Sequence, residues 1–253
     1  MVKTVVANWK MNPQSTREAE FILSGVSSSV KKVKNIKIVI CPPSPFLFIF
    51  KKIKNKKIFL GAQDVSVKIE GSHTGEISPK MLTNMGVSQI IVGHGERKAQ
   101  GENNKIVNEK ILNSLKFKLS PILCVGESKR DSDGFYLSFV EEQLRECLKG
   151  VLRTQMKNIT IAYEPIWAIG PSATREATKE EFIEMKIFIK KVISDIYDEK
   201  IAHAVPILYG GSVNKDNADI FIREGGADGL LVGRDSINPK KFSAILSALN
   251  KKI

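Results

Sequence analysis

Cysteine is scarce. Three residues in 253, Cys41, Cys124 and Cys147, are too few and too widely spaced for a disulfide framework or a thiolate metal site. An odd, unpaired set is expected of a reducing, cytoplasmic setting. Long apolar runs are missing as well. A membrane helix needs roughly 18 uninterrupted residues. The longest candidate, Ile38 to Phe50, is broken by Pro42, Pro43 and Pro45, and it reads as a strand, a turn and a helix start. No apolar leader is expected, since Asn8, Lys10 and Asn12 fall where its core would lie. Neither G-x-G-x-x-G nor G-x-x-x-x-G-K-[ST] occurs, which excludes the usual dinucleotide and nucleotide loops. Glycine and proline sit at element joints rather than in blocks, so residues 1–253 are read as a single catalytic domain.

Acid is in shorter supply than base. Lys and Arg number 39 against 27 Asp and Glu, for a net charge of +12. A basic surface raises the question of nucleic acid. The densest run, Lys51 to Lys57, contains no aromatic residue for stacking and no Arg for base reading. It is read as a solvated helix end, with neither nucleic acid nor membrane as a partner. The overall field instead favours small anionic substrates.

What is present is a rhythm. Short β-rich apolar runs occur at Thr4–Ala7, Ile36–Cys41, Ile58–Ala62, Gln89–Val92, Pro121–Val125, Ile159–Tyr163, Pro206–Tyr209 and Gly229–Val232. Most begin 20 to 45 residues apart, about one strand-plus-helix unit with its loops. Runs such as Gly229-Leu230-Leu231-Val232 lack polar alternation, which suits parallel strands covered on both faces. Between them stand helix-start signals: Ser78-Pro79, Asn238-Pro239 and the capping box Thr178 to Glu181. Eight such units imply an α/β fold, a (β/α)8 barrel, rather than a doubly wound open sheet.

Barrel enzymes build their sites from loops after the strand C-termini. Here those positions hold Asn8 and Lys10, then Gln63, His94 with Glu96, Glu127, Glu164, Gly210-Gly211-Ser212, and Gly233-Arg234. A base, an imidazole, a cation and two glycine-rich turns can abstract a proton beside a carbonyl and hold a phosphate. Each alone has a plainer reading. Lys10 could do no more than pair with Glu96, and His73 and His203 are expected to be structural. Their conjunction at the ends of one barrel's strands argues for a site.

Seven segments then carry a resemblance: Asn8–Asn12 (NWKMN), Gly71–Glu76 (GSHTGE), Val92–Arg97 (VGHGER), Cys124–Glu127 (CVGE), Ala162–Gly170 (AYEPIWAIG), Tyr209–Val213 (YGGSV) and Asp228–Gly233 (DGLLVG). From first strand to last helix the chain resembles the triosephosphate isomerase family. The resemblance implies that Glu164 moves the proton between C1 and C2. It makes His94 a neutral electrophile, kept uncharged by a helix N-terminus. Lys10 and Asn8 then stabilise and orient the substrate oxygens. Phosphate is expected on backbone N–H groups of Gly170, Ser212, Gly233 and Arg234, beside the turn Gly210-Gly211. Glu96, Gly95 and Cys124 are expected to support that set. No metal and no cofactor is called for. Pro165-Ile166-Trp167 resembles the front hinge of a substrate lid, and Thr74 the tip of a loop that reaches a partner subunit, which implies a homodimer.

Three departures stand out. Gly95 replaces a serine whose hydroxyl holds the resting base. On that difference alone, restoring the hydroxyl should change turnover less than ~10-fold. The lid, Gly170 to Thr178, is about two residues longer than usual. Arg234 replaces a glycine. The last two are similar to barrel isomerases acting on four-carbon sugar phosphates of the erythrulose-phosphate type, which is the alternative substrate class. A catalytically silent phosphate-binding barrel is a third possibility, opposed by the retained Asn8, Lys10, His94 and Glu164.

Overall fold

A computed structural model of the chain describes residues 2–31, 33–53, 55–170, 173 and 175–250. Eight parallel strands run β1 Lys3–Asn8, β2 Ile36–Cys41, β3 Ile58–Ala62, β4 Gln89–Val92, β5 Ser120–Val125, β6 Thr160–Tyr163, β7 Ile207–Tyr209 and β8 Gly229–Val232. They pair in chain order, and β1 closes on β8 through the register Thr4↔Gly229 to Ala7↔Val232. The expected barrel is present, and every expected strand lies within one residue of its observed bounds at either end.

The apolar strand pattern follows from a core on both faces of the sheet. Val6, Val39, Cys41, Ile91, Ile122, Cys124, Ala162, Leu208 and Leu231 fill the barrel interior. Their neighbours, such as Val5, Ala7, Ile38 and Ile40, point outward into a second apolar layer under the helices. Apart from the exposed Phe59 and a few partly buried positions near the strand starts, neither face meets water, so alternation between polar and apolar residues would bury unpaired polar groups.

The outer layer includes α1 Thr16–Val30, α2 Pro79–Asn84, α3 Gly95–Lys98, α4 Asn104–Lys116, α5 Phe135–Cys147, α6 Lys179–Ile196, α7 Glu199–Ala204, α8 Ala218–Arg223 and α9 Pro239–Leu249. The start signals act as expected. Ser78 Oγ accepts from Met81 N–H, and Asn238 Oδ1 accepts from the N–H groups of Lys240 and Lys241. Thr178 and Glu181 each accept the other's backbone N–H, which directs the chain out of the lid into α6. The proline-broken segment after β2 becomes a 3-10 helix, Ser44–Lys52. No described helix is long and apolar enough to cross a membrane.

Two readings need correction. His73 and His203 lie on the surface and not in packed structural roles, and His203 Nε2 meets the exposed Glu199, 3.4 Å away.

Thr178→Ala removes one half of the capping box. It should lower the unfolding free energy by about 1 kcal/mol, read as a lower urea midpoint at unchanged slope. A midpoint that stays put would mean the cap contributes nothing to stability.

Candidate active site

The strand C-termini open into one cleft of about 600 Å³. Of the residues singled out from the sequence, Asn8, Lys10, His94, Gly95, Glu96, Glu164, Gly170, Gly210, Gly211, Ser212, Gly233 and Arg234 line it. Cys124 does not. It lies fully buried in the barrel interior beneath the site, where burial and the Glu164 carboxylate push its thiol well up and keep it protonated. Thr74 is exposed on the loop after β3 and does not line the cleft.

Glu164 follows β6 directly and is only 2% exposed. A carboxylate so buried needs partners from the protein. Its Oε2 accepts from Gly95 N–H at 3.0 Å, and its Oε1 faces His94 Nε2 at 3.2 Å. His94 caps α3, and its Nδ1 accepts from Glu96 N–H at 3.2 Å. That bond occupies the Nδ1 lone pair, so a neutral ring carries its proton on Nε2, on the side of the carboxylate, although Glu164 Oε1 itself accepts no hydrogen bond from the described residues. Room for Glu164 depends on missing side chains around it. A Cβ at Gly126 would fall 1.8 Å from the Glu164 carbonyl oxygen, and one at Gly210 3.0 Å from its Cγ.

Lys10 sits opposite with φ 54°, a left-handed conformation that costs a non-glycine residue roughly 1–3 kcal/mol. Local bonds hold it there. Its N–H donates to Asn8 Oδ1 at 3.0 Å, and its carbonyl accepts from Gln63 Nε2 at 2.8 Å. Gln63 Nε2 also donates to the Cys41 carbonyl at 2.9 Å, tying the loops after β1 and β2 together. Lys10 Nζ meets Glu96 Oε1 at 2.6 Å, the plain pairing that the sequence allowed. Glu96 is more than half exposed, and pairs of that kind are worth at most about 1 kcal/mol. A dianionic phosphate ester can compete for that ammonium. The pairing and a role in the cleft are therefore compatible.

This arrangement of base, imidazole and strained lysine coincides with the result of sequence comparison. The triosephosphate isomerase family model matches residues 3–249. The chain belongs to the triosephosphate isomerase family. It is 38% identical over 245 residues to the triosephosphate isomerase of Carboxydothermus hydrogenoformans, with 96% of each chain covered. Identity is 39% over 245 residues with that of a Thermoanaerobacter species, covering 96% of this chain and 98% of the relative. The Dictyoglomus thermophilum enzyme is 38% identical over 249 residues, covering 97% and 99%. Members of this family are isomerases, and the barrel described above is theirs.

Several contacts that hold this family site escaped the sequence reading. Gln143 on α5 donates to the Gly126 carbonyl and accepts from the Gly126 N–H, and Lys98 joins it from α3. Together they fix the loop that Glu164 packs on. At the front of the lid, Trp167 Nε1 and Tyr163 Oη both donate to Glu127 Oε1, at 2.7 and 2.8 Å. Burial pushes the Glu127 carboxyl up, and these two donors offset part of that. At the rear, the Arg175 guanidinium stacks 4.5 Å over Trp167 and grips both oxygens of Glu181, while Glu176 accepts from Asn214 and Asn217. Residues 175 and 176 are thus tied to Trp167, Glu181, Asn214 and Asn217. Pro171, Ser172 and Thr174 of the lengthened lid lie outside the described residues.

Gln63→Leu would leave the Lys10 carbonyl without its donor, leave the Cys41 carbonyl with Trp9 N–H alone, and release the loop that strains Lys10. A loss of about 1–3 kcal/mol in stability is expected by urea denaturation, accompanied by lower kcat. Unchanged stability and turnover would show that Lys10 holds its conformation unaided.

Proposed function

We propose that the chain interconverts dihydroxyacetone phosphate and D-glyceraldehyde 3-phosphate through a cis-enediolate, as a step of glycolysis and gluconeogenesis. Glu164 removes a proton from the carbon beside the carbonyl. The C–H electron pair becomes the enediolate double bond, and the carbonyl oxygen gains charge. His94 Nε2–H donates to that oxygen, and Lys10 Nζ adds positive charge beside it. Asn8 orients the oxygens. Glu164 then returns the proton to the neighbouring carbon while His94 relays the hydroxyl proton from the C1 oxygen to the C2 oxygen, so that one carbon is oxidised as the other is reduced and no external redox partner is needed. The observation that carries this reading is the 3.2 Å approach of Glu164 Oε1 to His94 Nε2 inside the cleft, with the base nearly dry. Such a site strengthens both the base and the donor.

The phosphate is held by N–H groups of Gly170, Ser212, Gly233 and Arg234, with the turn Gly210-Gly211 leaving space. Arg234 contributes its backbone, and its exposed side chain points to solvent. The relatives' names and the unaltered Tyr209-Gly210-Gly211-Ser212 turn support a three-carbon substrate over the erythrulose-phosphate alternative. The chain acts as one catalytic domain and pairs as a homodimer through the loop carrying Thr74, to which the largely exposed Met11 and Met81 add apolar surface. Three free cysteines, all buried, support a cytoplasmic setting.

Glu164→Gln keeps the volume and removes the base. A fall in kcat of at least ~10²-fold is expected while glycerol 3-phosphate still binds. A variant retaining a tenth of the activity would remove Glu164 from the mechanism. For substrate length, kcat/KM for glyceraldehyde 3-phosphate should exceed that for either erythrulose phosphate by at least ~10²-fold, since a misplacement of about 1 Å costs that much. The reversed ratio would establish the four-carbon reading.

A further inference from the structure

Gly126 is the first residue past β5, so its buried N–H and carbonyl have no ladder partner and must be satisfied some other way. One side chain serves both. Gln143, 2% exposed, accepts the Gly126 N–H on Oε1 at 3.0 Å and donates Nε2–H to the Gly126 carbonyl at 2.9 Å. Neither an alkyl chain nor an ionised carboxylate could make both bonds. Lys98 Nζ meets the same Oε1 at 2.8 Å. An ammonium has donors only, so it turns the amide oxygen toward itself and leaves Nε2 for the Gly126 carbonyl.

Both ends of this bridge lie against the reacting groups. Lys98 ends α3, the short helix capped by His94, and its own N–H donates to the His94 carbonyl at 3.1 Å. Its Nζ also donates to the Cys124 carbonyl at 3.1 Å. At the other end, a Cβ on Gly126 would fall 1.8 Å from the Glu164 carbonyl oxygen, a backbone atom that no change of rotamer could move away. Glu164 N–H is held on the Val125 carbonyl at 2.8 Å. Its carboxylate then returns to α3 through Gly95 N–H at 3.0 Å. The contacts close a ring that runs from α3 through Lys98, Gln143, Gly126 and Glu164 back to Gly95.

We propose that Lys98 and Gln143 form a positioning unit that sets the separation of the Glu164 carboxylate and the His94 imidazole. Neither residue lines the cleft, so neither meets substrate. Gln143 acts through Gly126 and the Glu164 backbone, and Lys98 acts through the Gln143 amide and α3. The inference rests on the reading of Glu164 as the base and His94 as the donor.

The test uses the full chain with dihydroxyacetone phosphate as substrate. Gln143→Leu should lower kcat ~10- to 100-fold, since a misplacement of about 1 Å costs ~10²-fold. Lys98→Met keeps the length and removes the ammonium, and it should lower kcat at least ~5-fold. The double variant should stay within about 3-fold of Gln143→Leu, because the two residues act as one unit. Lys98→Arg, which keeps the charge and the donors, should stay within about 3-fold of the parent. Affinity for glycerol 3-phosphate, which lacks the reacting carbonyl, should change less than about 3-fold throughout, so that the loss falls on kcat.

A merely structural pair would lower the urea midpoint and leave kcat per folded molecule intact, and that result for Lys98→Met would overturn the proposal. So would equal losses of kcat and affinity, a double variant whose losses multiply, or an Lys98→Arg variant as slow as Lys98→Met. If Gln143→Leu does not fold, the two Lys98 variants decide alone. Glu164→Gln, assayed alongside, separates the two claims. If it stays active, the base assignment fails; if it is inactive while Lys98→Met keeps full kcat, only the positioning unit fails.

Discussion

A carboxylate with almost no contact with water has to be compensated by the protein around it, because a buried charge left alone costs several kcal/mol. Glu164 imposes that constraint on its whole neighbourhood. One oxygen takes the Gly95 N–H and the other faces His94 Nε2. The His94 tautomer that serves it is set from behind by Glu96 N–H. Gly126 and Gly210 are bare because the base and its backbone fill the space where a Cβ would stand. Gln143 and Lys98 hold the loop on which this rests. The barrel supplies the common origin: β4, β5, β6 and β7 are neighbours in the sheet, so their C-terminal loops converge on one point.

Against that tightly fixed base stands a cation that is only loosely held. The Lys10–Glu96 contact is short but open to solvent, and its small value makes it exchangeable. The lysine backbone, by contrast, is held by Asn8 and Gln63 in a strained conformation. A cation fixed at its root and weakly paired at its tip suits an anionic substrate that arrives and leaves. The net charge of +12 adds a favourable long-range field.

Much of this was legible in the residues. The strands announced themselves because a core on both faces of the sheet removes polar positions from them, and the helix starts because Ser78, Asn238 and Thr178 are chemically suited to free N–H groups. The residues of the cleft were legible for one reason: barrel topology maps strand C-termini onto one mouth. What escaped was lateral support. Gln143 and Lys98 are polar residues within helices, and nothing in a 3.6-residue period shows that one reaches Gly126 and the other the Cys124 carbonyl. The pairing of Arg175 with Glu181 and Trp167 depends on how the longer lid folds back. The hydrogen bond from Gly95 N–H to Glu164 joins residues 69 positions apart, and a glycine viewed alone suggests a lost hydroxyl, not a backbone donor.

The central claim is that the Glu164 carboxylate carries the substrate proton and exchanges it with water while the enediolate is bound. Isomerisation of dihydroxyacetone phosphate in D2O, with the product read by proton NMR, addresses that claim directly. Deuterium should appear at C2 of the newly formed glyceraldehyde 3-phosphate. Complete retention of protium at C2 at full turnover would contradict a base that exchanges with solvent at the enediolate stage.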